Sequence, residues 1–406
     1  TDSAEIDIAT ILAMEGVDMS DFEFDPTSFN LELTTSQNAF SNLAGNENQQ
    51  NFPPPPSQTA HSSTELINQL LQLQISQTHL LSAIREKQKT LMENPTHELF
   101  DSVMNEEIKL EANLESAMQN LTGLIQQVQL SPGELHRVDY LKNEFLIQYH
   151  QLRLYKIEIE QLKFQQRATA PIASLMIIKQ PFPNVPHKSM QLMDGELVVQ
   201  LLTGAATRLL GCSPVRAMLV TENSQAKLPD NKMINNGSQP LDVTQLKANF
   251  PIVFMEGTRK NAAYLRFVID VQLEQLGQET SGTLESVFNS SPFVVMTNQK
   301  QWEGCEKTLL LRDAFSGQAE ITWCQFANAL QRQFIRATKQ DPQHPTRCLS
   351  PFDFAYLHDK FLSKRPLFPQ KEYDNFWNWY GKCIQVIRYQ RHIGQLWLYG
   401  LFYGFM

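Results

Sequence analysis

Cysteine is scarce in this chain of 406 residues, and the five thiols, Cys212, Cys305, Cys324, Cys348 and Cys383, are scattered and form no CxxC pair. That excludes a disulfide-stapled scaffold and a cysteine-built zinc site, and it predicts reduced core thiols of an intracellular protein. No apolar run approaches the roughly 20 residues that a membrane span requires. No basic-then-apolar leader opens the chain, whose first residue is Thr1, so we expect a protein of cytoplasm or nucleus, free of the membrane and cut at that end. Also absent are a glycine-rich phosphate loop, a GxSxG elbow, an HExxH helix and any Cys/His pair at useful spacing. An enzyme is the least supported class, and neither a cofactor nor a metal is expected. The histidines His79, His136 and His150 share no helical register.

Basic residues are missing from the first sixty positions, which hold ten acids from Asp2 to Glu47 and no Lys or Arg. The formal charge of −9 is therefore the charge of a tail, and the remainder is nearly balanced. Acids alternate with apolar residues in Glu5-Ile6-Asp7-Ile8 and Asp21-Phe22-Glu23-Phe24-Asp25, then give way to Asn, Gln and Ser and to Pro53 through Pro56. Residues 1–62 read as a disordered tail, either an activation segment or a plain linker.

From Ser63 the pattern is helical. Leu66, Leu70, Leu73, Gln77, Leu80, Ile84, Lys87 and Leu91 follow alternating steps of four and three, and Asn94-Pro95 ends the run. A second seam passes through Val103, Glu107, Leu110, Leu114, Ala117, Leu121, Leu124 and Val128, and Ser131-Pro132 supplies a cap and first-turn proline for the next helix. The third is Val138, Leu141, Phe145, Gln148, Leu152, Tyr155, Ile159 and Leu162. Residues 63–168 thus predict an elongated coiled-coil bundle, structural or protein-binding in role.

At Pro171 the period changes. Short β-branched or aromatic runs at 175–178, 197–202, 217–221, 252–255, 264–271 and 293–297, parted by Pro, Gly and Asn, predict a β-sandwich or barrel over 169–300. Loops 231–237 and 257–261 carry Lys232, and Arg259 with Lys260, where a DNA-binding sandwich would grip phosphates. These residues can equally be solvated loop cations, since residues 171–300 hold eleven Lys/Arg against ten Asp/Glu. The run Val294-Val295-Met296 reads as a strand buried on both faces, and Thr297-Asn298 brings it out to solvent. The amide of Asn298 offers a donor and an acceptor to base edges or phosphates, or it caps the next helix.

Residues 301–406 are again helical and aromatic. Ile321 through Phe334 repeats apolar residues at one-turn spacing with Thr322 as a cap, and Phe376-Trp377-Asn378-Trp379-Tyr380 begins another helix. The uncharged end from Gly394 to Met406 is too short to span a membrane and is expected to dock, with the natural chain continuing beyond it.

This order of acidic tail, helical bundle, β-sandwich and aromatic helical module resembles the signal transducer and activator of transcription (STAT) family. Val294-Val295-Met296-Thr297-Asn298 is similar to that family's Val-Val-Ile-Ser-Asn strand end, and Thr322-Trp323-Cys324-Gln325-Phe326 to Gln333-Phe334 is similar to its Thr-Trp-x-Gln helix. Phe376-Trp377-Asn378-Trp379, Leu396-Trp397 and Tyr403-Gly404-Phe405-Met406 resemble the close of its linker domain, and Lys179-Gln180-Pro181 resembles the start of its sandwich. The Asn/Gln-rich tail is similar to that of slime-mould members. The resemblance implies an immunoglobulin-like sandwich of the p53 type, with Asn298 reaching into the groove of double-stranded DNA and Lys232 on a contacting loop. It further implies a transcription factor that shuttles between cytoplasm and nucleus, activated by an upstream receptor or tyrosine kinase. Such a protein forms a homodimer through an SH2 domain, which would follow the given chain, and meets protein partners on its bundle. Two departures stand out: three long helices where the family has four, and no counterpart of the family's acidic contact. The alternative from another class is a protein-interaction scaffold that does not bind DNA.

Overall fold

The computed structural model describes residues 57–164, 170–181, 184–192, 197–221, 233–258, 261–362 and 365–401. The acidic tail before Ser57 lies outside that set. Helices α1 (Ser57–Glu93), α2 (His97–Gln127) and α3 (Pro132–Lys163) run 37, 31 and 32 residues, about 45–55 Å each at 1.5 Å per residue. The first begins at Ser57, ahead of the expected Ser63. Ser131 closes a capping box with Glu134 and Pro132 occupies the first turn, so the α2–α3 corner is set by local chemistry. In the second seam every position from Val103 to Leu124 is buried. In the first, Ile67, Gln74 and Gln88 are buried while the predicted Leu66, Leu73 and Leu80 are only half-buried, because α2 and α3 both close on α1 and shift its contact stripe. Lys87, a predicted seam residue, is instead half-exposed and paired with Glu106 on α2.

The β region contains a three-stranded sheet in the order β1 (Ala173–Lys179), β2 (Val198–Thr203), β7 (Lys247–Asn249). A second sheet runs β10 (Gln278–Glu285), β9 (Ala263–Gln275), β4 (Val215–Thr221), β6 (Ser238–Gln239), and β3 (Arg208–Cys212) also pairs with β9. Between these, β5 (Ile234–Asn235) pairs with β8 (Val253–Phe254). The core joins both sheets, with Phe250 against Phe267 at 4.7 Å and Phe254 against Phe293 at 4.9 Å between ring centres. The β9–β10 hairpin turns on Leu276 (φ 53°) and Gly277 (φ 72°), left-handed at both positions as a type I′ turn requires.

The helical module comprises α4 (Trp302–Phe315), β11 (Glu320–Thr322), α5 (Trp323–Ala337), α6 (Pro351–Leu362), β12 (Leu367–Pro369), α7 (Tyr373–Tyr389) and α8 (Arg391–Leu398). It was expected to be entirely helical, but β11 and β12 pair antiparallel between its helices. Thr322 caps α5 by accepting from the Gln325 amide. The apolar end docks as expected through Ile393 and Trp397, while Tyr399 and Leu401 stay exposed. Of the five free thiols Cys305 alone is fully buried and Cys212 is exposed, so the expectation of core thiols holds at one position and fails at the strand end. Among the described residues no helix is long and apolar enough to cross a membrane.

The three parts are joined by polar contacts, those of Asn328 and Glu158 buried. Asn328, fully buried on α5, accepts from the Leu130 amide (2.9 Å) and donates to the Ile125 and Val128 carbonyls (3.0 and 2.8 Å) at the α2–α3 corner. Arg332 forks onto Asp139 with two 2.8 Å bonds. Glu158 on α3 accepts from the Ala206 amide and from Thr207 Oγ1 (2.9 Å), and burial raises its carboxyl above the usual range despite those bonds.

Candidate nucleic-acid interface

The extended segment 291–298 lies between two neighbours. On one side the Val294 amide donates to the Asn184 carbonyl (2.9 Å), Met296 to that of Pro186 (3.0 Å), and Lys188 returns a bond to the Met296 carbonyl (2.8 Å). On the other, Phe293 and Ala263 exchange bonds of 3.0 and 2.8 Å, and Thr258 accepts from the Val295 amide through Oγ1 and donates its own amide back. Val294 and Val295 are accordingly buried, as the sequence predicts. The expected regular strand is corrected to isolated bridges at Phe293 and Met296. The parallel neighbour explains this: Pro186 has no N–H to continue a ladder.

Beyond Met296 the chain turns sharply. The amide and hydroxyl of Thr297 both donate to Gln301 Oε1 (2.9 and 3.1 Å), so the Gln301 side chain holds the turn. Asn298 precedes the 3-10 turn Gln299–Gln301 in extended conformation (φ −145°, ψ 159°) and makes no side-chain capping bond to it. The capping alternative therefore fails, and the exposed amide points its chemistry outward. Gly257 lies so close that an added Cβ would sit 2.5 Å from Thr297 Cγ2, so a larger residue there must displace the Thr297 side chain.

Four chain segments meet at this end of the sandwich. The turn 187–190 is closed by the Met190 amide on the His187 carbonyl (3.0 Å), with Ser189 left-handed (φ 65°) and Lys188 exposed at its tip. Met233 accepts from the Met255 amide at 2.9 Å, and Thr258 is bonded to Val295. Lys232, Arg259 and Lys260 themselves lie outside the described residues. Of their chain neighbours, Thr258 bonds Val295 just before the turn that carries Asn298, and Met233 bonds Met255. Lys300 is exposed two residues past Asn298, and Glu256 puts one exposed carboxylate on the same end.

Sequence reasoning missed Lys188, Gln301 and Gly257, because their roles arise from pairings remote in sequence. The Pro186-His187-Lys188-Ser189 turn signal was present, but nothing local says which strand it borders. Asn328 was likewise hidden inside an apolar repeat.

The molecule is thus a three-part protein: a coiled-coil bundle, an immunoglobulin-like sandwich presenting an amide and flanking cations at one end, and a helical module bracing both. Among family models, one described as Dictyostelium STAT, coiled coil matches residues 64–171, and one described as STATa immunoglobulin-like domain matches residues 173–296. A third, described as EF-hand fold domain, matches residues 298–390. Signal transducer and activator of transcription B of Dictyostelium discoideum is 39% identical over 361 residues, 84% of this chain and 31% of that protein. Signal transducer and activator of transcription A of the same organism is 40% identical over 323 residues, 78% of this chain and 44% of that protein. The chain belongs to the STAT family, and it spans about a third to less than half the length of these two relatives.

Proposed function

We propose that this chain is the core of a sequence-specific, double-stranded DNA-binding transcription factor of the STAT type, with residues 63–168 as bundle, 169–300 as DNA-binding sandwich and 301–406 as linker module. The observation that carries the reading is the exposed, uncapped Asn298 near the exposed Lys188, whose amide bonds the Met296 carbonyl. Asn298 reads the groove. Lys232 and Lys188 position the phosphates, and Arg259 with Lys260 supply a further grip. The sandwich is nearly neutral overall, so one copy binds weakly and useful affinity needs two copies on a symmetric site. In the longer protein the two are joined through an SH2 domain after tyrosine phosphorylation by an upstream kinase or receptor, and the dimer passes from cytoplasm to nucleus. The bundle, with Ile75 and Ile108 exposed on its outer faces, meets protein partners.

The test is fluorescence anisotropy of the dimerised full-length protein on a duplex selected from random sequence and on its scrambled form, at two salt concentrations. Asn298→Ala costs about 1–3 kcal/mol on the selected duplex and little on the scrambled one. Lys188→Ala and Lys232→Ala weaken both alike and each lowers the salt slope by about one. Equal binding of wild type and Asn298→Ala to the selected duplex would remove the tip from the interface and leave a DNA-independent scaffold as the better account.

A further inference from the structure

The module that matches an EF-hand fold has the layout of an EF-hand pair: α4–β11–α5 and α6–β12–α7 are two helix–loop–helix units joined by the β11–β12 ladder. Ile321 pairs with Phe368 at the centre of that ladder, so the two loops are related through this pair. Equal steps along the chain make Gln325 equivalent to Glu372, and Ala314 equivalent to Phe361. A calcium loop of about twelve residues takes a ligand from its first position and a bidentate glutamate from its last, within a shell of roughly six to eight oxygens.

Neither loop offers that set. In the first, the opening position is the buried Ala314 and the closing one is Gln325, whose Nε2 donates to the Ala314 carbonyl at 2.9 Å. A neutral hydrogen bond thus ties the last position to the first, across the space an ion would bridge. In the second, Phe361 packs on Phe376 and Trp379 (5.2 and 5.8 Å), and Glu372 Oε1 faces Arg365 Nη1 at 3.6 Å. Its one suitable carboxylate already has a cation supplied by the chain. Among the described residues no three His, Cys, Asp or Glu side chains gather as a metal site would need.

We propose that this module is an ion-free EF-hand pair, in which the Gln325–Ala314 bond and the Arg365 guanidinium stand where cations would act, so that it keeps one helix arrangement at every calcium concentration. The surrounding contacts require such constancy. Thr322 Oγ1 donates to the Gln126 carbonyl (2.5 Å) and Asn328 grips the α2–α3 corner, both from the second helix of the first unit or its cap. Arg312 Nη1, on the first helix, donates to Tyr264 Oη on the sandwich at 2.7 Å. Opening α4 from α5, as calcium does in sensor EF-hands, would break one set or the other.

All five tryptophans, Trp302, Trp323, Trp377, Trp379 and Trp397, lie in this module, so their fluorescence reports its unfolding alone. We expect the same melting temperature for the whole chain in chelator and in about 1 mM calcium, the weak end of natural calcium loops, and no tryptophan-sensitised terbium emission. A calcium-dependent rise in melting temperature, or saturable terbium emission, overturns the proposal. Gln325→Glu places a carboxylate against the Ala314 carbonyl and should lower the melting temperature by several degrees that calcium does not restore. Restoration by calcium would show a latent site and defeat it equally.

Discussion

The bundle uses long helices and aliphatic seams, whereas the helical module packs short helices around aromatic rings. Its helices run 14, 15, 12, 17 and 8 residues, about half or less of those in the bundle. A helix of about four turns presents few core layers, so each layer must bury more, and rings do this: Phe326 alone lies 4.3 Å from Phe368 and 4.9 Å from Phe376 between centres. The bundle has layers to spare and admits polar residues. Gln148 of α3 donates to Thr78 Oγ1 (2.7 Å) and to the Gln74 carbonyl (3.2 Å) of α1, and Gln88 donates to Glu107 (2.7 Å), contacts that fix register between helices. Length thus allows a helix assembly to specify its pairing with polar groups, and shortness obliges it to spend its core on rings.

The sharpest way to break this comparison is to remove one side chain from each core. Phe326→Ala should cost about 3–5 kcal/mol and Leu114→Ala about 2–5 kcal/mol, since both side chains are fully buried and neither site can collapse without shifting its helices. Denaturant unfolding separates the two: tryptophan fluorescence follows the module, and far-ultraviolet circular dichroism is dominated by the bundle. Phe326→Ala should move the fluorescence midpoint more, and Leu114→Ala the dichroism midpoint. If Leu114→Ala moved both equally, the two regions would be one cooperative unit and the contrast between their cores would not matter to stability.

Asn328 decides how strongly they are coupled. Asn328→Ala leaves the Leu130 amide and the Ile125 and Val128 carbonyls without their side-chain partner. A cost of about 1–3 kcal/mol is expected, the desolvation penalty of a buried donor left unmade, and the fluorescence and dichroism transitions should move further apart. Transitions no further apart than in the wild type would assign the coupling to Arg332–Asp139 and Thr322 instead.

The same contrast explains what the amino-acid order reveals. The seams from Val103 to Leu124 and from Val138 to Ile159 were legible because a long helix repeats its burial many times. Strand β10, Gln-Glu-Thr-Ser-Gly-Thr-Leu-Glu, was not, because an edge strand with one wet face has no apolar run, and its pairing with β9 is set by the two-residue turn. At the candidate interface Asn298 was legible from the sudden end of an apolar run. The turn holding Lys188 was not, since it meets that run only through backbone bonds to a segment more than a hundred positions away.

The pH dependence of the bundle rests on an acid buried in its core. Glu107 is 2% exposed, and burial, helped by Glu160 and Glu111 and opposed by Lys156 and the Gln88 bond, pushes its carboxyl up to about 8. Between its ordinary value near 4.5 and about 8 the folded chain keeps a proton that the unfolded chain has released. Stability from this site is therefore present in full below about pH 4.5, falls as pH rises through that window, and stays at its low level above about 8. Glu107→Gln removes the titration but keeps an acceptor for Gln88 Nε2. The variant should match the wild type near pH 4.5 and gain on it steadily toward pH 8, read as the dichroism midpoint in denaturant. Because Trp fluorescence reports only the module, its midpoint should show no such divergence. A wild type whose bundle stability rises between pH 5 and 8 relative to Glu107→Gln would mean that Glu107 is ionised in the fold and held by Lys156, and the bundle would then owe its register to an ion pair rather than to a neutral acid.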